Sequence, residues 1–145
     1  MILYLDSSAL AKRYLSEEAS AEVQRLVAGA ERVGTSIIAR VEVVAALGRA
    51  RRQKLLDDQP AARLRALFTG HWPAFVRLSL SENTIERADA LAWEMGLRGY
   101  DAVHLASALS WREAIGESPV FATFDRALGK AARAQGLDVW PESLE

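Results

Sequence analysis

Asp6, Glu42, Asp101 and Asp125 are spread along a chain of 145 residues, and each falls where a strand pattern ends or a helix pattern begins. Gathered by a fold, they would build a carboxylate pocket. Carboxylates repel one another and resist losing water, so three or four share a site only when cations neutralise them. Hard oxygen donors favour Mg2+ or Mn2+. On this reading Asp6, Asp101 and Asp125 are the expected metal ligands, directly or through water, and Glu42 positions or deprotonates a water molecule. Such a pocket orients phosphate oxygens, lowers the pKa of bound water and stabilises a pentavalent phosphorus.

Taken singly, three of the acids have ordinary explanations. Asp6, Asp101 and Asp125 each stand where a helix N-cap is expected. Glu42 does not, because it lies inside an apolar helical stretch flanked by Ile38, Val41, Val43, Val44 and Ala46. An unpaired carboxylate there is costly, so Glu42 requires a partner. Ser8 lies two residues after Asp6 and Thr123 two before Asp125, which makes both hydroxyls candidates to support the site. Each also has a plain reading, as a cap and as a strand side chain. His104 follows Asp101 by one helical turn, but on the stripe of Val103, Leu105 and Ala108 it reads as a packed or hydrogen-bonded histidine, not as a general base. His71, beside Trp72, has no stronger claim.

These residues need elements to position them. Ile2–Leu5 is a short apolar run ending at Asp6, which predicts a buried strand. A helix carrying Leu10, Tyr14 and Leu15 follows, with a break around Ser16, and a second runs over 18–28. Val33–Ser36 reads as a very short strand. The stretch 37–54 changes from apolar to basic and predicts one long helix, buried first and exposed later. Asp57 or Asp58 starts a helix through Leu67, and His71, Trp72 and Pro73 mark a connection. Phe75–Leu80 alternates as a strand does, Ser81 caps a helix that Gly96 and Gly99 close, and Asp101 opens DAVHLASALSW. The strand VFATF ends at Asp125, and a final helix and the strand 138–140 complete the chain. Strands alternating with helices predict a three-layer α/β/α sandwich around a mainly parallel sheet, built as a single domain over residues 1–145. The carboxyl ends of parallel strands share a crevice, and Asp6 and Asp125 would both stand in it.

Composition narrows the class. Half the residues are apolar, yet no uncharged run approaches the roughly 20 residues that cross a bilayer. The expectation is a soluble, cytoplasmic protein with no membrane partner. The start MILYLD has neither basic leader nor cleavage site and reads as a first strand. The absence of cysteine excludes disulfides, thiol nucleophiles and zinc-thiolate centres. A net charge of -1 conceals a basic segment, with Arg40, Arg49, Arg51, Arg52, Lys54, Arg63 and Arg65 set against Glu42, Asp57 and Asp58. Arg49, Arg51, Arg52 and Lys54, with Lys12 and Arg13, are candidates to hold the phosphates of a nucleic acid, and the basic segment also reads as a solvated helix face. Trp93, Trp111 and Trp140 read as core.

Four segments in order, YLDSSAL, SIIARVE, LRGYDAVHLASAL and FATFD, make the chain resemble the PIN domain and, within it, the VapC toxins of type II toxin-antitoxin systems. The likeness spans the whole length. It implies a metal-dependent endoribonuclease with Mg2+ or Mn2+ as cofactor, an RNA substrate, a homodimer and a cognate VapB-like antitoxin. Carried over by position, Asp6, Glu42, Asp101 and Asp125 match the four catalytic acids in order, and Ser8 and Thr123 match the hydroxyl positions beside the first and last.

Two other functions are compatible with the same residues. A non-catalytic RNA-binding or regulatory module would keep the acids only for a structural ion. A metal-dependent phosphatase of the phosphoaspartate kind needs a second acid two residues after the first, where this chain has Ser8.

Overall fold

Ile2–Leu5 (β1) is apolar at every position because both of its faces are covered. Ile2 and Tyr4 point into one core and Leu3 and Leu5 into another, so one four-residue strand serves two layers. The computed structural model describes residues 1–15 and 18–143. The break expected around Ser16 lies outside the described residues.

After β1 come α1 (Ser7–Lys12), α2 (Ser20–Ala28), β2 (Arg32–Ser36), α3 (Ala39–Arg52), α4 (Asp58–His71), β3 (Val76–Leu78), α5 (Glu82–Met95), α6 (Gly99–Ile115), β4 (Val120–Ala122), α7 (Arg126–Ala134) and β5 (Val139–Trp140). The sheet order is β3-β2-β1-β4-β5 and every pairing is parallel, with Leu3 opposite Val33 on one side and Val120 on the other. Tyr4, Phe121 and Val139 pack with Leu91, Leu105, Leu109 and Leu128 of α5, α6 and α7. On the opposite face Leu3, Leu5 and Ala122 pack with Leu10, Val43, Leu47, Phe68 and Trp72. The result is the expected α/β/α sandwich. Among the described residues no helix is long and apolar enough to cross a membrane.

Strands β1, β2 and β3 step outward in one direction, and β4 then returns to the free side of β1. The chain therefore reverses its winding between β1 and β4, which opens a crevice at their carboxyl ends. Asp6 follows β1, and Thr123 and Asp125 follow β4.

The structure departs from the sequence reading at several places. Helix α6 begins at Gly99 with Arg98 at its N-cap, so Asp101 lies inside the first turn and does not cap. Helix α4 continues through His71 into a 3-10 turn over Trp72–Ala74, which tolerates Pro73 near its start, where an amide hydrogen is not needed. The strands at both sheet edges and β4 are shorter than their apolar runs. Trp111 is buried and Trp140 half-buried, but Trp93 is 89% exposed. Val41 is exposed too, at 67%. Both are two residues from a buried neighbour, Leu91 and Val43, and two residues turn a helix by about 200°.

Gly34 in β2 lies under the ring of Trp111, and a Cβ there would stand 2.7 Å from two ring atoms. Overpacking of a closed core costs about 1–3 kcal/mol. Gly34→Ala is expected to lower the denaturation midpoint accordingly, and Trp111→Phe to recover part of the loss, as measured by urea unfolding of the two variants and their combination.

Candidate active site

Asp6 is 2% exposed, and its side chain is tied down at both oxygens. Oδ1 accepts from the amide of Ala9 (2.9 Å), which caps α1, and from the Ser8 hydroxyl (2.7 Å). Oδ2 accepts from the Thr123 hydroxyl (2.6 Å). Ser8 Oγ in turn accepts from the Phe124 amide and Thr123 Oγ1 from the Asp125 amide, each at 3.0 Å. The two hydroxyls thus join the loop after β1 to the loop after β4. Burial pushes the Asp6 carboxyl above the ordinary carboxylate range, and the nearby His104 with the Thr123, Ala9 and Ser8 hydrogen bonds works against that rise.

Asp125 caps α7 through Oδ1, which accepts from the Leu128 amide at 2.8 Å, and presents Oδ2 to Arg98 Nη2 at 2.8 Å. Arg98 also donates from Nε to Asp101 Oδ2 at 2.9 Å, so one guanidinium bridges two of the acids. The Asp101 carboxyl is raised by its own burial, lowered by Arg98, and raised again by the charges of Asp125 and Asp6. Asp6 and Asp125 thus stand close enough for their charges to be felt at Asp101. Arg98 belongs to this site and was missed in the sequence; its signal was a basic residue one helical turn before Asp101.

Glu42 lies in the first turn of α3 and reaches the same edge from the other helical layer. Its partners are His104 Nε2, 2.7 Å from Oε1, and Ser7 Oγ, which donates to Oε2 at 3.0 Å. His104 is fully buried, and its Nδ1 lies 2.8 Å from the Tyr4 hydroxyl. The partner that Glu42 required is therefore the histidine that read as structural.

The basic residues divide. Lys12 Nζ sits 4.8 Å over the ring of Phe124, next to Asp125. Arg13 lies over Tyr14 and Phe75 and lines a cavity of about 290 Å3 with Arg32 and His71, at the start of β2 and so at the end of the sheet away from the acids. Arg49, Arg51 and Arg52 occupy the last turn of α3, and Lys54 lies just past it, about 10–18 Å along the helix axis from Glu42. Arg51 also lines a groove of about 750 Å3 between α3 and α4 with Arg40, Arg65, Val44, Ala62 and Thr69.

The donors at the crevice are carboxylates and hydroxyls, with no thiol in the chain, and His104 is already engaged at both ring nitrogens. That is the chemistry of a hard divalent ion, which these residues fit. Among the described residues no three acidic or imidazole groups lie close enough to encircle one ion, and the guanidinium of Arg98 stands between Asp101 and Asp125.

A family model described as PIN domain matches residues 3–134. The chain belongs to the PIN-domain family. Ribonuclease VapC45 of Mycobacterium tuberculosis (strain CDC 1551 / Oshkosh) is 35% identical to this PIN domain over 145 residues, covering 99% of this chain and 98% of the relative. Among solved structures, the crystal structure of FitAcB from Neisseria gonorrhoeae superposes with a TM-score of 0.67 at 17% identity, over 98% of each chain. A toxin-antitoxin complex from Klebsiella pneumoniae gives 0.62 at 20% identity, over 85% of this chain and 86% of that one. At these identities the solved structures speak to the fold, which is that of the five-stranded parallel sheet described above.

Because the folded-state pKa of Asp6 is raised, its ionised form opposes folding. The penalty is absent below the unfolded-state pKa, grows as pH rises through the window up to the folded value, and is complete above it. Asp6→Asn keeps an oxygen to cap α1 and is expected to melt a few degrees above the parent at pH 7, with the difference closing as pH falls through the carboxylate range. Thermal melts across that range measure it.

Proposed function

We propose that this PIN domain is a metal-dependent endoribonuclease and the toxin of a type II toxin-antitoxin pair. The observation that carries the reading is the arrival of Asp6, Asp101, Asp125 and Glu42 from four elements at one switch-point crevice, together with relatives named as VapC ribonucleases. Asp6, Asp101 and Asp125 are the residues to hold Mg2+ or Mn2+, which when bound supplies charge neutralisation and acidifies water. Glu42, fixed at both oxygens, keeps lone pairs to orient the attacking water and take its proton. Ser8 and Thr123 hold Asp6 in its rotamer. Arg98 offers the planar fork that pairs with phosphate oxygens. In-line attack by water breaks the bond from phosphorus to the 3'-oxygen and leaves a 5'-phosphate and a 3'-hydroxyl. The 2'-hydroxyl takes no part as nucleophile.

On this reading Lys12, whose ammonium lies over Phe124, meets RNA next to the acids together with Arg98, whereas Arg49, Arg51, Arg52 and Lys54 would engage only an RNA long enough to run the length of α3. A VapB-like antitoxin is the partner proposed from the toxin-antitoxin complex among the structural neighbours. A homodimer is proposed from the apolar residues left exposed, among them Val41, Leu67, Ile85 and Trp93. Sedimentation of the purified chain is expected to give twice its 15.9 kDa, and Trp93→Ser with Val41→Ser to shift it toward the monomer.

The rival readings part company in one assay. Incubation of a structured RNA with purified protein is expected to give cleavage that EDTA abolishes and that Asp6→Asn and Asp101→Asn each reduce by more than about 100-fold, since even residues behind metal ligands cost 10–100-fold. Replacing the scissile 2'-hydroxyl by hydrogen should leave cleavage in place. RNA binding without cleavage would favour the non-catalytic module, and hydrolysis of a small phosphomonoester the phosphatase. Activity that survives both chelation and substitution would overturn the proposed reaction.

A further inference from the structure

A buried polar relay runs from the sheet to the candidate site, through a residue to which neither the sequence reading nor the proposed chemistry gives a task. Tyr4, His104 and Glu42 come from β1, α6 and α3, elements on both sides of the sheet, and are joined by contacts of 2.8 and 2.7 Å. Tyr4 and His104 are both fully buried. The same elements deliver aspartates to the site, for Tyr4 precedes Asp6 by two residues on β1 and His104 follows Asp101 by three on α6. Moving either element would thus shift the acids and the relay together.

We propose that His104 is a positioning residue that holds Glu42 in one rotamer, with its free lone pairs turned to the crevice. The inference rests on the reading of Glu42 as the acid that orients water. Hydrogen accounting fixes the geometry. A phenol keeps its proton at neutral pH, and Tyr4 is fully buried with its hydroxyl 2.8 Å from Nδ1 of His104. When the imidazole is neutral, that proton goes to Nδ1 and the ring hydrogen is left on Nε2, facing Glu42; when it is charged, Nε2 carries a hydrogen as well. In either state Glu42 Oε1 receives a donor, while Ser7 donates to Oε2 from the residue next to Asp6. One donor on each oxygen locks the carboxylate plane. With 21% of its side chain exposed, Glu42 remains open on the crevice side.

Two measurements test this. In protein labelled with 15N at histidine, the His104 ring is expected to show the hydrogen on Nε2 and an unprotonated, hydrogen-bonded Nδ1, and Tyr4→Phe to shift the Nδ1 resonance; a hydrogen on Nδ1 with a bare Nε2 toward Glu42 overturns the proposal without any activity measurement. In cleavage kinetics, His104→Ala should lower kcat about 10–100-fold with KM for RNA within a factor of two. His104→Gln, which can still donate to Glu42, should recover part of kcat. Added to Glu42→Gln, His104→Ala should cost nothing further, because it acts through Glu42. Losses that multiply, or a glutamine variant as poor as alanine at equal folded fraction, overturn the proposal. If wild-type protein shows no divalent-dependent cleavage, the reaction itself is wrong, and the ring tautomer still decides whether His104 holds Glu42 as described. Should His104→Ala not fold, Tyr4→Phe and His104→Gln carry the kinetic test.

Discussion

The arrangement at the crevice depends on one buried carboxylate. Asp6 is taken out of water at the end of the central strand, which is unfavourable for its charge, and the chain compensates by surrounding it with donors: an amide from α1 and hydroxyls from Ser8 and Thr123. Those hydroxyls do not end at Asp6. Each accepts an amide from the loop after β4, so satisfying the carboxylate also ties that loop to the segment that follows β1. The crevice lies at the ends of those two strands, and Asp125 follows β4 there.

The acids gathered there create a second problem, since the charges of Asp125 and Asp6 raise the cost of ionising Asp101. The structure answers it with donors brought to the other acids. Arg98 spans Asp101 and Asp125, and His104 and Ser7 hold Glu42. Arg98 is a mostly exposed side chain from the turn before α6, whereas His104 is fully buried. The two partners differ in freedom as a result. An exposed guanidinium reorients at little cost, but a histidine fixed at both nitrogens inside a packed helix keeps its carboxylate where it is.

Much of the fold was legible because its signals are local. An apolar run with no polar face announced β1, a serine three residues before the amide that donates to it announced the cap of α5, and the change from apolar to basic along α3 announced a helix leaving the core. Readings failed where a local pattern had two structural solutions. Asp101 at a helix start suits a cap or a first-turn residue equally, and only the turn made by Arg98 and Gly99 chose the second. Trp93 is apolar and large, yet its place on α5 turns it away from Leu91. The basic run in 49–54 shares α3 with Glu42, and the rise of the helix carries it toward the far end.

The sequence by itself determined the acids, their order and the strand-helix alternation that sends Asp6 and Asp125 to one edge, because strand direction and crossover handedness leave a parallel sheet few alternatives. It also determined that Glu42 needed company. What only the tertiary structure decided was the company itself: His104 lies 62 residues from Glu42 and Tyr4 100 residues from His104, and Arg98 meets Asp125 across 27. Hydrogen bonds of such separation leave no periodicity in a chain. They arise because burying a charge obliges the fold to bring a donor from wherever one is available.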